Sequence, residues 1–282
     1  MVLLVLLSLL QGLGGCSYFI ERQTSNAAEQ LSATILNHED PETVSAAIPT
    51  LLILMDSYAS GDNSSGDAKL AAAKLYGAYA GAFVDDPLRR KTLTSTAFRY
   101  ARTGSCKNDY TWCGLERLDQ HAFTEFMAQV DGQQIEMVYA YAVAWLSYIE
   151  AHSDDWNAIA ELPKPQQMFD FVVEQDEAYD NAGAHLYLAA LSLTIPPALG
   201  GKPDVGRQHF ERAIELTQGR NLVIQLEYAR RYARLMFDRD LHHQLLMSVI
   251  EADPQQEGLT LMNIWALQQA QYLLDDESEY FD

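Results

Sequence analysis

Apolar side chains recur at the helical period along almost the whole chain. No segment shows the sustained apolar/polar alternation with β-branched enrichment that a sheet requires. Ala72, Tyr76, Tyr79 and Phe83 fall at steps of four, three and four, which places them on one face of a helix. Leu93, Ala97 and Tyr100 repeat the step; Leu222, Leu226, Ala229, Ala233 and Met236 line a later stripe, and Leu259, Met262, Ala266, Ala270 and Leu273 another. Start signals mark the boundaries. Asp40-Pro41-Glu42 and Asp86-Pro87 each pair an Asp N-cap with Pro at the first helical position, where a missing N–H costs nothing; Pro165, Pro203 and Pro254 are read the same way. Gly61-Asp62-Asn63-Ser64-Ser65-Gly66 and the stretch from Ile195 to Pro203, with its Gly200-Gly201 pair, read as loops. The expectation is an all-α array of about a dozen antiparallel helices joined by short loops.

One stretch gives that array a type. Gly206, Phe210 and Ala213 fall at i, i+4 and i+7, the second-helix pattern of a tetratricopeptide-like unit, in which small residues let the paired helix approach and the aromatic fills the gap. No strict repeat of about 34 residues runs through the chain, so an irregular α-solenoid is expected, one domain from Cys16 to Asp282.

The N-terminus adds an address. Val2 to Leu10 is almost entirely Leu and Val, short of the roughly 20 residues a membrane span needs, and it leads into Leu13-Gly14-Gly15-Cys16. This reads as a lipoprotein signal over residues 1–15: small residues give a signal peptidase access to the backbone, and a diacylglyceryl group on the Cys16 thiol replaces the removed apolar segment as anchor. At about 0.8 kcal/mol per buried CH₂, two or three acyl chains hold the protein to a bilayer. No Lys or Arg precedes the apolar run, a departure from the ordinary signal, and Ser17 leans toward the outer rather than the inner membrane. The expected location is the periplasmic face of a bacterial membrane.

With 19 Lys+Arg against 39 Asp+Glu the formal charge is -20. A field this negative repels phosphate backbones and excludes nucleic-acid partners. Cys106 and Cys113 share a polar segment; in an oxidising compartment they are placed to form a disulfide, with unlinked thiols or half a zinc site using His121 as the alternatives. No His-Glu-x-x-His, Gly-rich phosphate loop or Gly-x-Ser-x-Gly elbow is present, so no enzyme and no cofactor is expected. Asp238, Asp240, His242 and His243 lie close together, but adjacent histidines point to different sides of a helix, and a solvated charged turn is the simpler reading than a metal site. Glu174, Asp176, Glu177 and Asp180 read as a wet helix end favouring the start of the next helix.

Several segments together resemble one family. Leu199-Gly200-Gly201-Lys202-Pro203, Phe210-Glu211-Arg212-Ala213-Ile214-Glu215-Leu216, Gly219-Arg220-Asn221-Leu222 and Glu227-Tyr228-Ala229-Arg230-Arg231-Tyr232-Ala233 are similar in order and spacing to the T-component family of TRAP transporters. So are the run from Leu75 to Phe83, Ala144-Trp145, and Asn263 with Ala266, Ala270, Leu273 and Leu274. The resemblance implies a periplasmic helical lipoprotein that associates with the solute-binding P-component of a tripartite ATP-independent system. It also implies a homotrimer with an apolar pore or cleft through each protomer that holds or conducts a hydrophobic small molecule.

Aromatic side chains suit such a cleft without requiring it. Tyr141, Trp145 and Tyr148 fall at i, i+4 and i+7, with Tyr139 nearby and Tyr187 placed to face them; Tyr76 and Tyr79 are further candidates. They either line an apolar ligand groove or fill the core, which is the commoner use of large aromatics at this spacing. Two functions therefore compete: a lipid-anchored TRAP accessory protein that docks the solute receptor, and a lipoprotein scaffold for envelope or outer-membrane assembly that binds a peptide or protein.

Overall fold

The computed structural model describes residues 29–194 and 201–282. Cys16 with its leader, and the greater part of the loop from Ile195 to Pro203, lie outside the described residues. A helical stretch over residues 29–36 is followed by α1 (Pro41–Ala59), α2 (Gly66–Phe83), α3 (Pro87–Asn108), α4 (Gln120–Met127), α5 (Ile135–Ala151), α6 (Trp156–Ala160) and α7 (Pro163–Gln175). Then come α8 (Tyr179–Ser192), α9 (Pro203–Thr217), α10 (Leu222–Glu227) running into a π-helix over Tyr228–Ala233, α11 (Arg239–Glu251), α12 (Thr260–Asp275) and α13 (Glu277–Phe281). Among the described residues there is no strand, and no helix is long and apolar enough to cross a membrane.

The caps explain where helices start. The Asp40 carboxylate accepts from the Glu42 and Thr43 amides at 3.0 and 3.2 Å, and Asp86 accepts from the Arg89 amide at 2.7 Å, each satisfying N–H groups that a first turn leaves unpaired. Pro203 opens α9 as expected. Two readings are corrected. Pro165 lies inside the first turn of α7, which opens at Pro163; Pro254 opens no helix and sits in the loop before α12, where its carbonyl accepts from Asn263 Nδ2 at 3.3 Å.

Ala72, Tyr76, Tyr79, Ala97 and Tyr100 are buried, as are Leu222, Leu226, Ala229 and Ala233. Met236, the last of its stripe, is 43% exposed. The π-helix is the reason: its wider turn advances less around the axis per residue, so α-helical spacing no longer returns to the buried face. On α9, a Cβ at Gly206 would come within 3.1 Å of the Ala189 carbonyl oxygen and the Leu193 side chain, while Phe210 and Ala213 are fully buried; the small–aromatic–small pattern seats α9 on α8.

Helix α5 is buried on nearly all sides and threads the first core, where Trp112, Phe123, Tyr141, Trp145 and Met168 meet. A second core gathers Phe210, Leu222, Leu226 and Leu246. A third holds Val44, Ile48, Leu52, Tyr79 and Tyr100 together with Leu261 from α12. That last residue matters for the topology. Each helix pair leans on the next, and α12 returns to pack on α1, where the Gly258 amide donates to Asn37 Oδ1 at 2.7 Å and Gln255 Nε2 to Glu39 Oε1 at 3.0 Å. The array closes on itself.

Candidate functional site

A charged junction lies between the first and second cores, on the π-helix. A run of i→i+5 turns inside an α-helix is rare and is often found at functional sites. Here it brings two successive guanidinium groups back to one carboxylate: Arg230 Nη1 donates to Glu227 Oε1 and Arg231 Nε to Glu227 Oε2, both at 2.7 Å, and the Glu227 side chain is only 11% exposed. Arg230 also reaches Gln269 Oε1 on α12 at 3.3 Å and stacks on Trp265. Burial works against the Arg231 charge, but Glu227 and Glu150 beside it hold the guanidinium protonated.

Glu150, the penultimate residue of α5, faces this junction with Oε1 3.8 Å from Arg231 Nη1. Its side chain is 51% exposed, yet desolvation is the largest influence on its carboxyl and raises its pKa, with Arg231 opposing and Glu227 adding to the rise. Glu150 thus stands half-exposed at the end of α5, facing the guanidinium of Arg231. Tyr187 contributes an aromatic wall: it stacks on Phe169 at 4.9 Å and lies 6.2 Å from the Tyr139 ring, and burial raises both phenol pKa values. The junction thus brings together a guanidinium held by Glu227, a carboxyl that gains a proton more readily than usual, and aromatic rings.

Beside it the backbone departs from the helix. Asp180, Asn181 and Ala182 adopt left-handed conformations with φ of 50°, 54° and 62°, each costing on the order of 1 kcal/mol or more. Gly183 follows because nothing larger fits: a Cβ there would stand 2.0 Å from the Tyr139 hydroxyl. Asn221 Nδ2 braces the turn by donating to the Asn181 carbonyl at 3.2 Å. A cavity of about 150 Å³ opens against it, lined by Asn181, Ala182, Thr217, Arg220 and Leu259 among others.

The aromatics singled out from the sequence do not share one groove. Tyr141 and Trp145 are buried core residues: Phe98 stacks on Trp145 at 5.4 Å and meets Tyr141 edge-on at 5.8 Å, because α5 is covered on nearly all sides there. Tyr148, at the edge of the same cluster, stacks on Phe98 at 5.2 Å. Tyr76 lies in the third core, its hydroxyl donating to Asp56 Oδ2 at 2.8 Å, and Tyr79 accepts from Arg89 Nη2 at 3.1 Å. Of the six, Tyr187 alone feels the charges of Glu150, Arg231 and Glu227, and none lines the cavity. Cys106 and Cys113 are joined as a disulfide that closes the turn carrying Trp112 into the core. His121 stands apart from them, 3.7 Å from Glu125.

Two charged clusters differ from their sequence reading. Asp238 caps α11 through the Leu241 amide at 3.0 Å, but His242 is fully buried against Phe281 and shares Glu277 with His243, so the turn is not simply solvated. Glu177 holds Arg212 of α9 through both carboxylate oxygens, while Glu174, Asp176 and Asp180 stay exposed at the helix ends and Asp176 accepts from the Ala178 amide at 3.0 Å. Sequence reasoning passed over Glu150 and Glu227. Two adjacent arginines after a glutamate at i+3 and i+4, within an apolar stripe, were the available signal.

No curated protein matches the chain. The model of the TRAP transporter T-component family matches residues 37–281, from just before α1 to the end of α13. The chain belongs to the TRAP transporter T-component family and is an accessory component of TRAP transport.

Proposed function

We infer that this protein docks the solute-binding P-component of its TRAP system at the periplasmic face of the membrane, anchored through a lipid on Cys16, and that the charged junction of Glu150, Glu227 and Arg231 takes up a small amphiphilic molecule. The observation that supports the reading is the pairing of family membership over residues 37–281 with a half-exposed carboxyl, Glu150, beside the Arg231 guanidinium. A wholly apolar ligand suits the junction less well than one with a polar group, because Arg231 and Glu150 would otherwise lose water without replacement. The homotrimer implied by family resemblance fits the same scheme.

The reading is tested by mixing the purified chain with the solute-binding protein of the same system and measuring association in solution. A saturable complex supports it; two proteins that migrate independently at every concentration overturn it. Intact-mass measurement of the native protein tests the anchor, since a free thiol at Cys16 or a retained leader removes it. Sedimentation tests the trimer.

A further inference from the structure

Just past the π-helix, the chain exposes three apolar side chains in a row: Leu235, Met236 and Phe237, the last 64% exposed. Phe237 also has a φ of +54°, in the left-handed region where helix ends ordinarily carry Gly or Asn. The ending itself demands that conformation: the Phe237 amide donates to the Arg234 carbonyl at 3.1 Å and the Asp238 amide to the Ala233 carbonyl at 2.8 Å. A phenylalanine here carries two separate burdens, crowding of its Cβ and an apolar ring in water, and glycine would remove both. Its contacts with the Phe281 and Tyr280 rings, at 5.2 and 6.4 Å, leave most of the ring uncovered. The patch is built rather than loose. Arg234 lies over the Tyr280 ring at 4.4 Å and pairs with Asp276 at 2.6 Å, and the Tyr280 hydroxyl donates to the Arg234 carbonyl at 3.3 Å.

We propose that Phe237, with Leu235, Met236 and Tyr280, is the anchor that inserts into an apolar pocket of the solute-binding protein. The rim decides the occupant. Arg234 and Arg239 beside the patch are paired with Asp276 and Asp282, while Asp238 and Glu279 flank Phe237 and Tyr280 in the chain, so on a chain of net charge -20 a second copy and an anionic lipid surface both meet like charge. The pocket that receives Phe237 is therefore ringed by Lys and Arg. An exposed aromatic at the centre of a charged rim is the arrangement that concentrates binding energy in few residues. The inference rests on the docking function given above and adds the surface that performs it.

The test is calorimetric titration of the solute-binding protein into the full chain, wild type and Phe237→Gly, with thermal unfolding of both. The expected result is a loss of about tenfold or more in affinity on Phe237→Gly, with an unfolding midpoint equal to or above wild type, and weaker wild-type binding as salt is raised. Phe237→Asn, which also accepts the left-handed backbone, should behave alike. Undiminished affinity in both variants overturns the anchor while leaving the docking function standing. Failure of the wild-type chain itself to bind overturns both.

Discussion

His185 and His209 face each other across the α8–α9 interface with their Nδ1 atoms 2.8 Å apart. At that distance one ring donates and the other accepts, so the pair is stable with at least one neutral imidazole. Burial, and then the neighbouring His185, push His209 down to about 4; burial also lowers His185, against the opposite pull of Glu177. The unfolded chain binds these protons near 6.5, so between pH 6.5 and about 4 it holds more protons than the folded one, and stability falls as pH falls. The loss should be on the order of 1–3 kcal/mol across that window. His242, also lowered by burial, adds to the wild-type slope. Denaturant unfolding at pH 7 and pH 5 should therefore show a smaller difference for His209→Gln than for wild type, and an unchanged difference would remove the pair as the cause.

One hydroxyl deletion should have opposite signs at two sites. The Tyr141 hydroxyl is buried and has no partner among the described residues, so Tyr141→Phe should be neutral or stabilising by up to about 1 kcal/mol. Tyr76 donates to Asp56, which also accepts from Tyr100 at 2.6 Å, and Tyr76→Phe should cost about 1 kcal/mol. Paired thermal melts decide it; shifts of the same sign would contradict the hydrogen-bond assignment.

Glu227→Ala leaves two guanidinium groups facing each other without their shared carboxylate, and should cost about 2–3 kcal/mol. Glu150→Gln, at a half-exposed position 3.8 Å from its partner, should change stability by less than about 0.5 kcal/mol. Urea unfolding of the two variants separates the structural carboxylate from the available one.

Removing the Cys106–Cys113 link, by Ser substitution of both residues, should cost about 2 kcal/mol through the entropy of the short loop it closes. Trp112 lies inside that loop and is 1% exposed, so quenching of tryptophan emission by iodide should rise in the variant. Equal quenching would mean that the turn holds without the bond.

Periodicity made the helices and the first layer of burial legible, since a stripe such as Ala72, Tyr76 and Tyr79 needs only one face and one neighbour. It did not reveal where a helix changes pitch, and so misplaced Met236. Nor did it separate the middle of the core from its charged edge: Tyr141 and Tyr187 look alike in sequence, but one is fully buried on α5 and the other lies near the charges of Glu150 and Arg231. The junction was illegible because its parts, Glu150 and Arg231, are eighty-one positions apart and owe their chemistry to a meeting that no local pattern encodes.

The contact between α12 and α1 changes how the whole assembly answers force and heat. A superhelix with free ends behaves as a spring: it yields gradually, and its outer turns melt while the middle persists. Here α12 and the loop before it are tied to α1 and the segment before it through Leu261, Asn37 and Glu39, so neither end of the array hangs free. Ends that hold each other cannot fray separately, and the layers between them should be lost together.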